Sequence, residues 1–272
     1  MYEAYYGLRE RAFRKTPDPR YLYLNETYEE ALAQLLFAVE EMELALMTGE
    51  VGSGKTLLSR ALIDRIGERY AVAMILNPRL SPRQLLATLA SELGVAQPRF
   101  QAGDLLAQIH DRLLALDEAG RAALLILDEA HLIPGPPTFE EIRLLTNFQL
   151  DDRNLIAIVL VGQPELEARL AQRRYRALTQ RIGAHFQLAP LTPEDTSAYV
   201  RHRLQVAGAE RPVFADAALL LLHAAARGVP RVVNHLATQA LIEGMARGAS
   251  LVDEDIVAAV VAGQPFLMRE AS

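Results

Sequence analysis

The stretch Leu44-Ala-Leu-Met-Thr-Gly-Glu-Val-Gly-Ser-Gly-Lys-Thr-Leu-Leu-Ser59 narrows the possible folds more than any other part of this chain. Leu44 to Met47 form a short apolar run that reads as a buried strand. The run leads directly into Gly49-Glu-Val-Gly-Ser-Gly-Lys55-Thr56, which satisfies the phosphate-loop pattern G-x-x-x-x-G-K-[ST] at every fixed position. Leu57, Leu58, Ala61, Leu62 and Ile66 then recur at helical spacing. Strand, glycine loop and helix form the context in which such a loop wraps a phosphate chain. Gly49, Gly52 and Gly54 let the backbone turn its N–H groups inward. The helix that follows points its orphan donors and positive dipole end at the same anion. Lys55 supplies a point charge for the β- and γ-phosphates, and the Thr56 hydroxyl can ligate Mg²⁺. The expected nucleotide-binding residues are therefore Gly49, Glu50, Val51, Gly52, Ser53, Gly54, Lys55, Thr56 and Leu57.

A chain of 272 residues accommodates one sizeable α/β core and a smaller second unit. It contains no cysteine, which excludes disulfides and thiolate metal sites and suits a reducing cytosol. A formal charge of −6 gives no global attraction to nucleic acid or anionic lipid, although a local basic patch is compatible with it. Charges interrupt the early apolar runs, so Met1-Tyr-Glu-Ala-Tyr-Tyr does not read as a signal peptide. The runs 217–226 and 256–262 are too short to span a bilayer, and a soluble protein is expected.

Residues 1–24 carry Tyr2, Tyr5, Tyr6, Phe13, Tyr21 and Tyr23 around Thr16-Pro-Asp-Pro19 and are expected to form an irregular aromatic strap. It either packs near a nucleotide base or covers a core edge. Thr27 with Glu30 reads as a capping box for a helix to about Met42. A second strand is expected over 70–76, and Ser81-Pro82 with Gln84 starts a helix that Gly94 can end. Another helix spans about 104–118. Then Ala122–Leu127, entirely apolar, delivers Asp128-Glu129-Ala-His131 at its end. Asp128 is placed to hold Mg²⁺ through its water shell, and Glu129 to orient and deprotonate an attacking water. His131 reads as a surface or supporting histidine. Thr138 with Glu141 is expected to begin a helix to about Phe148, and a fourth strand runs over 155–161. At its end the amide of Gln163 can meet the γ-phosphate or the lytic water; a simple turn role is the alternative.

Residues 164–182 read as helical and carry Arg169, Arg173, Arg174, Arg176 and Arg181, one of which can reach a neighbouring subunit's phosphate; for most, a solvated face suffices. A fifth strand is expected near 185–188. From Thr192-Pro-Glu-Asp195 onward only helices follow, at about 193–207, 215–227, 230–247 and 253–262. Arg231, opening the third, is positioned to bend back over bound phosphates. The expected division is a strap over 1–24, an α/β nucleotide-binding domain over 25–190 and a helical unit over 191–272.

Gly49–Thr56, Leu124–Glu129, the Gln163 strand end, Arg181 and Gly228-Val-Pro-Arg231 resemble, in order, Walker A, Walker B, sensor 1, arginine finger and sensor 2 of an AAA+ ATPase. More narrowly, Phe13…Thr16-Pro-Asp-Pro-Arg-Tyr-Leu-Tyr23, Ile142-Arg-Leu-Leu-Thr-Asn147, Val161-Gly-Gln-Pro-Glu-Leu166 and Gln180-Arg-Ile182 resemble the general secretion pathway protein A (ExeA-type) ATPases and the related ATPase of mannose-sensitive haemagglutinin pilus biogenesis. The resemblance implies a five-stranded parallel sheet flanked by helices, a C-terminal helical lid, and ATP with Mg²⁺ bound between them. It also implies a ring or filament of identical subunits completed by Arg181 of the next copy. The chain would be a cytoplasmic protein, or one peripheral at the inner membrane, that supports a type II secretion or type IV pilus-like assembly. Gln163 departs from the Asn, Ser or Thr common at sensor 1, and larger secretion members continue beyond the point where Ser272 ends this chain.

Two other readings share some of these residues. Asp128-Glu-Ala-His131 and Gln180-Arg-Ile-Gly183 also resemble parts of a DEAH-box helicase, but Ala184 and His185 stand where further arginines belong, and the chain is short for two helicase domains. DNA-transposition regulator ATPases of similar build polymerise on DNA; the net charge disfavours that reading.

Overall fold

A computed structural model describes residues 1–14 and 18–264, so Thr16 and Pro17 of the proline motif lie outside the described residues. The chain opens with a one-turn helix, α1 (Tyr2–Tyr5). It then passes between two compact units, one comprising 26–49 and 58–188 and the other 1–25, 50–57 and 189–272.

The first unit is built on a five-stranded parallel sheet. Its elements are α2 (Glu26–Glu40), β1 (Leu44–Gly49), most of α3 (Lys55–Ile66), β2 (Tyr70–Ile75), α4 (Pro82–Glu92), α5 (Ala102–Glu118) and β3 (Ala122–Leu127). They continue through α6 (Pro136–Leu145), β4 (Ile156–Gly162), α7 (Pro164–Leu170), α8 (Arg176–Thr179) and β5 (Ile182–Leu188). Strands β1 and β4 are buried along their whole length and β3 over all but its first residue, as their unbroken apolar sequences require of a sheet covered on both faces.

The strand order is β2-β3-β4-β1-β5. The connection from β1 to β2 therefore runs in one direction along the sheet, and all later connections run in the other. Right-handed crossovers then place α3 on one face and α4 to α8 on the opposite face. On that second face Leu85, Leu86, Leu89, Leu105, Ile109, Phe139 and Ile142 pack with Leu44, Leu46, Leu125 and Ile158 in one buried cluster. The direction reverses between β1 and β4, and the crevice at the carboxyl ends of such neighbours is where open α/β sheets bind ligands.

Several expected starts shift for physical reasons. Ser81 and Gln84 do form a reciprocal capping box, and Gly94 follows the end of α4 at φ 89°. By contrast α2 begins at Glu26, with Thr27 already inside it. Helix α6 starts at Pro136 and ends at Leu145; the Thr138 hydroxyl donates to Leu80 O at 3.0 Å instead of capping. The continuous helix expected over 164–182 is broken into α7, a 3₁₀ turn at Arg173–Tyr175 and α8. The break buries Tyr175, whose ring packs edge-on against Phe139 at 5.1 Å, so tertiary packing overrides helix propensity there. Strand β5 begins at Ile182, directly after Arg181.

The second unit is helical: α9 (Pro193–Val206), α10 (Asp216–Ala226), α11 (Pro230–Ala246) and α12 (Glu254–Ala262). Thr192 and Asp195 form the capping box of α9. The aromatic N-terminal residues pack on these helices. The Tyr6 hydroxyl donates to Ala249 O at 3.2 Å, and Arg9 N donates to Ala207 O at 2.8 Å. Arg203, only 5% exposed, donates to Ala12 O and to the Tyr199 hydroxyl at 2.8 and 2.9 Å. Its guanidinium lies 4.8 Å from the Tyr21 ring centroid and 5.9 Å from that of Phe13. This buried cation is thus held by carbonyl, hydroxyl and ring faces. Beside it, the Nε2 of His202 is buried without a hydrogen-bond partner, and burial together with the Arg203 charge pushes the His202 pKa down.

Helix α10 ends with Arg227 and Gly228 both in the left-handed region, at φ 50° and 72°. A Cβ on Gly228 would lie 2.1 Å from Leu191 O, and Leu191 N donates to Gly228 O at 2.9 Å. Gly228→Ala is therefore expected to cost about 2 kcal/mol or more, because the strained φ adds to a clash with backbone that cannot swing away. Thermal unfolding of the variant measures this, and an unchanged Tm would refute it. Among the described residues no helix is long and apolar enough to cross a membrane.

Candidate functional site

In the sheet unit, the parallel strands bring the carboxyl ends of β1, β3 and β4 to one edge of the sheet. Gly49 closes β1, Asp128 and Glu129 follow β3, and Gln163 follows β4. Asp128 is buried at 3% exposure; its Oδ1 accepts from Glu129 N at 2.9 Å, and its own N–H donates to Ile75 O at 2.9 Å. Glu129 takes a left-handed backbone, φ 56° and ψ 37°, unusual for a residue with a side chain. Its carbonyl accepts from Leu132 N at 2.8 Å, closing a 3₁₀ turn over Ala130–Leu132.

That turn brings His131 to the end of β4. Gln163 N lies 3.4 Å from His131 Nδ1, and Gln163 Nε2 lies 3.0 Å from His131 Nε2. The Glu129 carboxylate oxygen Oε2 is 3.5 Å from both Gln163 Nε2 and His131 Nε2. Gly162 makes room for this approach, since a Cβ there would meet His131 N at 3.4 Å and the Leu166 side chain at 2.7 Å. Arg169 braces the turn from behind, donating to Ile133 O at 2.6 Å and to His131 O at 3.3 Å, with its guanidinium 5.0 Å from the Phe139 ring centroid. From the sequence, His131 is expected at the surface or in a supporting role, and Arg169 is one of five arginines of which one is expected to reach a neighbouring subunit and most to face solvent. The structure brings His131 to Glu129 and turns Arg169 inward. The spacing Glu-x-His after an apolar strand was the available signal for the first; nothing local marked the second.

Arg181 occupies the other edge of the same sheet. Ile182, its successor, pairs with Leu44 at the beginning of β1, whereas the strand tips lie at the far end. The Arg181 side chain is exposed and donates to Asn147 Oδ1 at 2.9 Å. It is therefore not grouped with Glu129 and Gln163 of its own chain.

In the helical unit, the segment Glu50–Leu57 opens on a loop that holds Gly52 and Gly54 at φ 82° and 96°. Both values are costly for a residue with a Cβ. Ser53 N donates to Glu50 O at 3.1 Å, and Lys55 Nζ folds back onto the same carbonyl at 2.9 Å. Arg231 lies over this loop. Its N–H donates to Gly52 O at 3.2 Å, and a Cβ on Gly52 would sit 2.5 Å from Arg231 Cβ. The loop and Arg231 thus fit one another only because residue 52 is glycine. Lys55 and Ser53 are buried, and α3 starts at Lys55 with Thr56 in its first turn. Among the described residues no group of three or more His, Asp or Glu gathers as a metal cage. A Thr hydroxyl and a carboxylate are hard oxygen donors, suited to a Mg²⁺ ion that arrives with phosphate and keeps much of its water.

Residues 39–170 match the AAA domain family. The ORC2 protein of Aeropyrum pernix shares this fold at 18% identity with a TM-score of 0.69, covering 93% of this chain and 71% of that one. The RuvB Holliday junction branch migration motor of Thermotoga maritima does so at 16% identity and a TM-score of 0.63, covering 93% and 73%. The five-stranded parallel sheet in this order, with its flanking helices, has the P-loop AAA fold of those solved structures.

In sequence the chain is similar to general secretion pathway protein A. It is 43% identical over 260 residues to that protein from Aeromonas hydrophila. The match covers 94% of this chain and 47% of the relative, so the chain spans about half the relative's length.

Proposed function

We propose that this chain binds ATP with Mg²⁺ and hydrolyses it, and that turnover drives movement of the helical unit and of an assembly of identical subunits serving secretion or a pilus-like system. One observation carries the reading: the carboxyl ends of three parallel strands share an edge, one leading into the phosphate loop, one bearing Asp128 and Glu129, one bearing Gln163. The loop amides, Lys55 and Arg231 would hold the phosphates. Thr56 and Asp128 would hold the metal ion, which when bound offsets charge on the phosphate oxygens. Glu129 would take the proton of a water as its oxygen bonds to the terminal phosphorus; the bond to the ADP oxygen breaks, and ADP and phosphate leave. Identity with general secretion pathway protein A supports a secretion context.

The test is direct. Calorimetry should record ATP binding in Mg²⁺, and Lys55→Ala should weaken it by about 100-fold, the loss of a charge-assisted contact of about 2.7 kcal/mol. Affinity equal to that of the unmutated chain would remove Lys55 from the site.

A further inference from the structure

We propose that His131 and Gln163 act as one positioning pair that aims the Glu129 carboxylate, linking the tip of β4 to the proton acceptor at the tip of β3. The inference rests on the ATPase reading and adds to it a role for His131 that no part of that reading requires.

Three side chains from two strands meet at separations of 3.0 to 3.5 Å. A neutral imidazole carries one N–H and one lone pair, so its two ring nitrogens cannot both accept. With the hydrogen on Nδ1, the ring accepts from the Gln163 amide at Nε2, and the second amide hydrogen of Gln163 faces Glu129 Oε2. With the hydrogen on Nε2, Nδ1 accepts from the Gln163 main-chain N–H, and the ring itself faces Glu129 Oε2. Either tautomer leaves one N–H directed at the same carboxylate oxygen, from the Gln163 amide in the first and from the imidazole in the second, and Gln163 donates to the accepting ring nitrogen in both.

The carboxylate needs such an anchor. Its side chain is 41% exposed, while that of His131 is 14% exposed and can therefore serve as the fixed partner. The left-handed backbone at Glu129 directs the side chain out of the strand line, and the 3₁₀ turn held by Arg169 places His131 beside it. Distances of 3.5 Å are long for hydrogen bonds, and catalytic contacts of this kind shorten when substrate is bound.

The experiment measures steady-state ATP turnover and separately measured nucleotide affinity for the unmutated chain, Glu129→Gln, His131→Ala, His131→Gln, Gln163→Ala and the double variant His131→Ala/Gln163→Ala, each checked for an intact thermal transition. His131→Ala and Gln163→Ala are each expected to lower kcat by about 10-fold with KM and ADP affinity within twofold, since orientation and not binding is lost. The double variant should lose no more than the worse single variant, because the pair is one unit. His131→Gln, whose amide reaches the place of Nε2, should recover most of the activity. If Glu129→Gln stops turnover while His131→Ala and Gln163→Ala retain kcat within twofold, the positioning role is overturned and the ATPase reading stands. If the single losses multiply in the double variant, the two residues act separately and the paired role fails. Absence of turnover in the unmutated chain, or full turnover in Glu129→Gln, overturns both. Should His131→Ala fail to fold, Gln163→Ala and His131→Gln decide the matter alone.

Discussion

Glu129→Gln is expected to bind ATP as tightly as the unmutated chain and to lose turnover by about 10²–10⁴-fold, the usual contribution of a positioned general base. The amide keeps the size of the carboxylate and the same reach to Gln163 and His131, whose nitrogens lie 3.5 Å from Oε2. Only the ability to take a proton disappears. Asp128, buried and bonded through Oδ1 to the neighbouring N–H, is left intact, so metal and nucleotide binding should survive. Phosphate release followed after a single mixing step, beside nucleotide affinity by calorimetry, separates the two effects. Release at the unmutated rate would mean that another group accepts the proton.

Arg181→Ala should reduce turnover of assembled protein by a factor approaching the ~10³–10⁵ that a trans-supplied arginine contributes in GTPases, again without loss of ATP affinity. The argument is positional. Arg181 precedes β5, whose first residue pairs with Leu44, while Gly49 ends β1 at the other edge. Five residues of strand at about 3.4 Å each separate those edges by roughly 17 Å, so Arg181 cannot serve the strand tips of its own chain. Exposed and steadied by Asn147, it is presented outward, where another copy can use it. Mixing Arg181→Ala with Lys55→Ala protein supplies an intact arginine beside an intact phosphate loop, and turnover should then exceed the sum of the separate variants. A mixture no more active than that sum would exclude action across a subunit boundary.

Much of the architecture was legible because its causes are local. An apolar run long enough for one strand, a glycine loop with Lys and Thr at its end, and Ser-Pro-x-Gln or Thr-Pro-x-Asp at a helix start each act through backbone within a few residues. The four C-terminal helices and the capping boxes at Ser81 and Thr192 follow from that chemistry. Thr138 misled because its hydroxyl found Leu80 O, far away in the chain, before it found a helix end.

The sequence by itself determined a phosphate loop after a buried strand, two acids at the end of another, and a helical unit behind them. The tertiary structure alone decided that Gln163 meets His131 and Glu129, 32 and 34 residues away in the chain, because that depends on β3 and β4 lying side by side. It also turned Arg169 inward, broke the helix after Leu170, and laid the aromatic N-terminus around Arg203. The physical reason is the same in each case. Local sequence sets which backbone shapes are affordable, but a side chain's partner is chosen by which strands and helices the fold makes neighbours, and no nearby residue encodes that choice.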